Sequence, residues 1–247
     1  MTTPSAFVLV VSMLASPPSG HVTQVSSASD HFREGMVALA SEHYEKAEAE
    51  FRNATEIDPL YDAAFYGLGQ VYMATKRYGE AVKAYLASRS AFEASQAADK
   101  QDAAAADRRV RDQLQAVRDY GRTLQRMSAT QSPGLASAIE RNREEQRQLE
   151  SRLNRSKGAP PLPVPAGLSM ALGSAYFRTG ELAAAEREYQ EALKVNPMFG
   201  EAHSNLAVVY MQTGRLDLAQ QEVGLAEKAG YKVNPRLKED LQRRIGK

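Results

Sequence analysis

Residues 67–85 read "GLGQVYMATKRYGEAVKAY" and residues 171–189 read "ALGSAYFRTGELAAAEREY". One order of small, aromatic and charged residues thus appears twice, 104 residues apart. The pattern extends to either side. The stretch "FREGMVALASEHYEKAEAEFRNATEIDP" from Phe32 carries Gly35, Ala47, Phe51 and Ala54 in the order of Gly69, Ala81, Tyr85 and Ser88. The stretch "NLAVVYMQTGRLDLAQQEVGLA" from Asn205 carries Ala207, Tyr210, Ala219, Val223 and Ala226 in the order of Gly173, Tyr176, Ala185, Tyr189 and Ala192. Gly35 and Gly69 are 34 residues apart, as are Gly173 and Ala207. A fixed period of that size implies stacked copies of one small unit, none of which can bury its apolar face alone.

Each recurring residue type has a physical job. Gly35, Gly69, Gly173 and Ala207 are expected where two helices of a unit press together, since larger side chains would wedge them apart. Ala47, Ala81, Ala185 and Ala219 face them from the second helix. Phe51, Tyr72, Tyr85, Tyr176, Tyr189 and Tyr210 fill the space between crossings. Pro59 and Pro197 stop the second helix, because proline lacks the N–H and clashes with the preceding turn. Thr179-Gly180 and Thr213-Gly214 supply turns between helices. The period and these positions resemble the tetratricopeptide repeat, a helix–turn–helix unit. Four units match, at residues 28–61, 62–95, 166–199 and 200–233. In the first, Glu34 and Ala38 replace the usual large residues. The second has Glu93 in place of its closing proline, which predicts a second helix that runs on.

The resemblance implies an all-α helical-repeat solenoid, two pairs of units at 28–95 and 166–233. The end, 234–247, reads as a capping helix: Asn234 as N-cap, Pro235 at the first helical position, and Leu237, Leu241 and Ile245 on one face. Solenoids need such a cap over their last apolar surface.

Residues 96–157 do not keep the repeat, and read as an inserted helical hairpin of coiled-coil type. Val110, Leu114, Val117, Gly121 and Leu124 step by 3 and 4, as do Leu135, Ile139, Asn142, Gln146, Leu149 and Leu153. Both series are heptad seams. "SPG" at Ser132–Gly134 separates them. They predict two long helices, paired within the chain or forming one arm of an intermolecular coil and hence a homo-oligomer. The first is expected to continue the last helix of the second unit from about Gly79 to Met127. Residues 158–165, within "GAPPLPVPAG", form a stiff linker back to the third unit.

Repeats of this family hold ligands in the concave groove lined by the first helix of each unit. Carried over, the lining is Phe32, Met36 and Leu39; Tyr66, Gln70 and Met73; Met170, Ser174 and Phe177; and Ser204, Val208 and Met211. One subgroup of the family grips a peptide carboxylate with Lys and Asn there. Phe32, Tyr66, Met170 and Ser204 stand in place of the Lys, and Met36, Gln70, Ser174 and Val208 in place of the Asn, which argues against that mode. An apolar, methionine-bearing lining adapts to varied shapes. The expected function is a non-enzymatic protein–protein scaffold that takes an apolar peptide or helix in the groove. The alternative is a self-assembling structural protein whose groove is filled from within.

Composition narrows the rest. A net charge of +1 gives no field to draw the molecule to nucleic acid or acidic membranes. With no cysteine there are no disulfides, thiol nucleophiles or cysteine metal sites. The arginines of the insertion, from Arg108 to Arg155, interleave with Asp112, Asp119, Glu140, Glu144, Glu145 and Glu150, the pattern of a solvated helix face rather than an RNA site. His31 and His203 occupy one repeat slot and read as packing residues, not ligands. No catalytic motif, metal set or cofactor fingerprint is present. The apolar run Ala6–Ala15 suits a secretory signal within a leader of residues 1–27, although no Lys or Arg precedes it. A signal would place a bacterial protein in the periplasm; a merely disordered leader would leave it cytoplasmic.

Overall fold

A computed structural model describes residues 27–127, 135–154 and 161–246, with the backbone alone for 99–101, 135–138 and 141. The leader before Ser27, the Ser132–Gly134 break and the start of the proline-rich linker lie outside the described residues.

The described secondary structure is helical: α1 (Ala28–Ala40), α2 (Tyr44–Ile57), α3 (Asp62–Ala74), α4 (Tyr78–Gln101), α5 (Ala103–Met127), α6 (Leu135–Leu153), α7 (Ala166–Thr179), α8 (Leu182–Val195), α9 (Gly200–Gln212), α10 (Leu216–Lys228) and α11 (Pro235–Ile245). Helices α1/α2, α3/α4, α7/α8 and α9/α10 are the four repeat hairpins. At Gly35 and Gly173 the reason for glycine is direct. A Cβ would stand 2.7 Å from the ring of Phe51 or Tyr189, the large residue of the facing helix. That is closer than van der Waals contact permits, so the helices could not approach as they do. Ala47, Ala81, Ala185 and Ala219 are fully buried at the same crossings.

Unit stacks on unit through α2 against α3 and α8 against α9. The middle joint is formed in the same way by α4 against α7, although the insertion separates them in sequence. The four units therefore make one continuous solenoid. At the far end, α11 packs on α10. Its Asn234 side chain accepts from the Arg236 N–H at 3.0 Å, and Leu241 is buried.

Helix α4 does run past the length of its repeat, 24 residues against 14 for α8. It does not continue to Met127. Asp102 leaves the helix (φ −135°, ψ 86°), and its Oδ1 accepts from the N–H of Ala104 at 3.1 Å and of Ala105 at 2.9 Å. An Asp so placed caps a new helix by satisfying its orphan donors, and the chain turns there into α5. Helices α5 and α6 pair antiparallel within the chain, and α5 folds back onto α1 and α4. The three imperfect seam residues form one unit. Asn142 is buried and donates to the Val117 carbonyl at 2.8 Å, and Gln146 donates to Asn142 Oδ1 at 2.7 Å. A Cβ on Gly121 would come within 2.5 Å of that same oxygen. A buried amide bonded to one particular carbonyl fixes the register of the pair.

Candidate partner-binding grooves

Eight of the twelve lining residues fall in two apolar clusters. In the first pair, Phe32 is buried against Phe51 and Tyr61, with ring centroids 5.9 and 5.2 Å apart. Met36, Leu39, Tyr66 and Met73 are half-buried and belong to the same cluster, which also contains Val110, Leu114 and Val117 of α5 and Leu149 of α6. The inserted hairpin thus lays its apolar stripe into the first pair. Gln70 is half-buried outside the cluster's apolar set. Polar contacts edge the docking: Arg109 lies 3.7 Å from Asp58, and Arg33 4.0 Å from Asp119.

In the second pair, Met170, Ser204 and Met211 are buried, and Ser174, Phe177 and Val208 half-buried. Met170, Phe177 and Met211 share a separate cluster with Leu237 and Leu241 of the capping helix. Asn205 Nδ2 sits 3.9 Å from the Met170 sulfur, and Arg244 donates to the Met211 carbonyl at 3.2 Å. The hairpin's packing is on the first pair: α5 on α1 and α4, α6 on α5.

Charges at the joints repeat with the units. Arg77 reaches back to Glu48 of the first unit at 2.7 Å, with its guanidinium 4.5 Å over the Tyr72 ring. Arg215 does the same to Glu186 at 2.6 Å, 4.5 Å over Tyr210. His31 pairs with Glu50 at 2.7 Å and His203 with Glu222 at 2.6 Å. The two histidines are joined to their own units, as their shared slot suggests. The middle joint differs: Glu188 stands in the slot of Glu50 and Glu222, but Ser169 replaces the histidine, and Glu188 takes Arg89 from the second unit instead.

One polar cluster went unnoticed in the sequence. Glu145 of α6 lies close enough to Asp62, the first residue of α3, to feel its charge, and Tyr61 feels those of Glu145, Asp62, Asp58 and Asp112. Burial, and then the Asp62 charge, push Glu145 up to about 7. Burial also raises Asp62, against the pull of Arg152 and the Gln113 side chain. Burial raises the Tyr61 hydroxyl too, reinforced by Glu145. The Tyr61 hydroxyl and Gln113 Oε1 are buried without a partner. Glu144 and Glu145 are neighbours in sequence, but Glu144 pairs with Arg147 on the exposed face, at 2.6 Å. The signal available was Glu145's place three residues after Asn142 and four before Leu149, which puts it on the inner side of the seam.

Other candidates are plainer. A 360 Å³ cleft in the hairpin is lined by Arg118, Arg122 and Arg143, paired respectively with Glu150, Asp119 and Glu140. Among the described residues no cluster of three or more His, Asp or Glu could hold a metal ion, and no helix is long and apolar enough to cross a membrane.

Among solved structures, the chain is similar to PilW, a widely conserved type IV pilus biogenesis factor. The two are 16% identical, over 89% of this chain and 86% of that one, with a TM-score of 0.41. It is similar to PilF of Pseudomonas aeruginosa (18%; 89% and 85%; TM-score 0.36) and to TTC0263, a thermophilic repeat protein of Thermus thermophilus (19%; 89% and 99%; TM-score 0.38). No curated protein matches the sequence. The tetratricopeptide repeat profile matches residues 32–98 and 170–235, together more than half of the chain. With its four stacked hairpins and their small-residue crossings, this chain belongs to the tetratricopeptide repeat family.

Proposed function

We propose that the protein is a non-enzymatic interaction scaffold whose second-pair groove receives an apolar or amphipathic helix from a partner protein. The observation that carries this reading is internal. The first pair already holds such a helix, α5, by its stripe Val110, Leu114 and Val117. The second pair is built from the same units and has, in the corresponding places, Phe177 and Val208 half-buried beside the buried Met170 and Met211. Helix-in-groove recognition reads apolar anchors at such i, i+4, i+7 spacing. Repeats of this family generally serve as non-catalytic protein-binding modules.

The self-assembly alternative loses its surface, because the heptad seam of the insertion is spent on α1 and on the α5–α6 pair. Oligomers through the insertion would have to expose Val117 and Leu124, at 1% and 0%. A labelled peptide of residues 103–127 tests the reading, used as a generic amphipathic helix. It is expected to bind the intact protein, with affinity lost at least tenfold in Val208→Glu and unchanged in Lys194→Glu on the outer helix α8. Equal binding by the two variants, or none by the parent, would remove the second groove from consideration.

A further inference from the structure

The net charge of +1 conceals an uneven distribution. Residues 28–61 contain eight Asp and Glu against three Lys and Arg, whereas residues 228–246 contain two against six. The inversion falls on one repeat slot: Glu56 and Ser90 in the first pair, Lys194 and Lys228 in the second, 34 residues apart within each pair. The two lysines belong to one edge. Lys194 and Val195 end α8, and the loop after them carries Met198 into α9. Asn196 Oδ1 accepts from the Met198 N–H at 3.1 Å, which fixes the bend. Two contacts bring the end of α10 against this loop. His203 of α9 donates from Nε2 to the Pro197 carbonyl at 3.0 Å, and its Nδ1 bonds to Glu222 of α10 at 2.6 Å. A Cβ on Gly200 would meet the Tyr231 Cβ at 2.4 Å, so Tyr231, just past α10, lies on the start of α9. Lys228 and Lys232 flank it in the chain. Val195, Met198 and Tyr231 are exposed, Met198 at 62%. Lys194 pairs with Glu191 at 2.6 Å. Lys228 and Lys232 are exposed and have no ion-pair partner among the described residues.

We propose that this edge, Lys194–Met198 with Lys228–Lys232, docks the second pair on an anionic lipid surface. The helix dipole accounts for a lysine in a last turn, but not for the bare apolar side chains beside it. Together they suit a bilayer interface. Valine, methionine and the tyrosine ring enter the headgroup region, while lysine stems follow the apolar part and their heads reach the phosphates. Each lysine close to a negatively charged leaflet strengthens binding by about fivefold. The first unit supplies the contrast: Ile57 is exposed at its bend as well, but between Glu56 and Asp58, which such a surface repels. The acidic end of the array therefore turns away from the membrane. A peptide partner is less suited, because these apolar groups stand at bends between helices and not along an inner face. The proposal does not rest on what the second groove binds.

The chain has no cysteine, so Met198→Cys in the full chain takes a single environment-sensitive dye at the edge, and Ile57→Cys takes one at the acidic bend. Vesicles of phosphatidylcholine mixed with phosphatidylglycerol should shift the dye at position 198 to the blue and leave that at position 57 unchanged. Pure phosphatidylcholine should shift neither. The dye reports its own position, so attachment through the apolar run of the leader alone does not produce this pattern. Lys228→Glu with Lys232→Glu should weaken partitioning about tenfold or more. Lys46→Glu with Lys83→Glu makes the same change in net charge on exposed lysines of the first pair, and should leave partitioning within about twofold. No shift at position 198 with the anionic vesicles would overturn the proposal. So would equal shifts at both positions, an equal shift with pure phosphatidylcholine, or equal losses in the two double variants. A shift produced by polyglutamate and not by the vesicles would overturn it in favour of an acidic protein.

Discussion

In the first pair of repeat units the inner face shares its cluster with α5, and Phe32 is 2% exposed; in the second pair Met170 and Met211 are buried in a cluster with the capping helix, and Phe177 and Val208 are half-buried. The scaffolds beneath are the same down to the cation stacked on a tyrosine at each joint. What differs is the insertion, which enters the chain between the pairs and turns back only on the first. A repeat array is a sum of unit stabilities and nearest-neighbour interfaces, so each pair can be assessed against the other. The first has gained an interface at the expense of an open groove. The second has kept the groove and relies on α11 to close its end.

The strongest way to break this comparison is to place a charge on each inner face in turn. Val117→Asp buries an unpaired carboxylate where the hairpin meets the first pair, at a position 1% exposed. The expected cost to hairpin seating is on the order of 3 kcal/mol or more. Amide exchange should then lose protection in α1 and α5 while α9 and α10 keep theirs. Val208→Asp on the second pair touches a half-open surface and should cost under about 1 kcal/mol in urea unfolding. Equal penalties would mean that the two faces are covered alike.

The joints offer the next contrast. Arg215 and Glu186 hold units three and four with the arginine side chain 38% exposed, and Arg77 and Glu48 hold units one and two with it at 36%. Arg89 and Glu188, which tie the second unit to the third, are 25% and 12% exposed. The Arg89 Nε is buried with no partner. Removing a partner from a shielded pair leaves the other charge uncompensated, whereas an open pair gives its charge back to water. Arg89→Ala is expected to lower stability by about 2–3 kcal/mol and to uncouple the two halves into separate unfolding steps. Arg215→Ala should cost about 1 kcal/mol and leave a single transition. Calorimetry on both variants distinguishes the two outcomes.

The repeats were legible because their packing is local. Gly35 opposite Phe51 and Gly173 opposite Tyr189 are contacts within one unit, and a period of fixed length displays them in the chain. The capping helix was legible for the same reason, from Asn234 and Pro235. The break at Asp102 was hidden by its neighbours: the alanines, Lys and Gln of "AADKQDAAAAD" have high helix propensity, and only the need of α5 to reach α1 turns Asp102 into a cap. Which of the twelve groove residues share a cluster with the hairpin depends on where the hairpin lies, a contact between residues far apart in sequence. Glu145 comes within reach of the Asp62 charge for that reason alone, and no spacing pattern along the chain links them.

The smallest contrast lies in the turns. All four units place one residue of the turn between their helices in the left-handed region: Glu42 (φ 59°) and Lys76 (φ 60°) in the first pair, Gly180 (φ 85°) and Gly214 (φ 75°) in the second. Glycine adopts that conformation freely, while a side chain meets the neighbouring carbonyl at a cost of about 1 kcal/mol. Lys76 is exposed, so its replacement loses little packing. Lys76→Gly is therefore expected to stabilise the first pair by about 0.5 kcal/mol, the relief of strain being partly offset by the greater freedom of glycine in the unfolded chain. Gly214→Ala should destabilise the second pair by about 1 kcal/mol. Opposite signs in paired urea titrations would show that the two halves differ in backbone strain as well as in cover. The same sign in both would mean that the left-handed turn is held by its hydrogen bonds, such as Arg77 N–H to the Tyr72 carbonyl at 2.8 Å and Arg215 N–H to the Tyr210 carbonyl at 2.8 Å, irrespective of the residue within it.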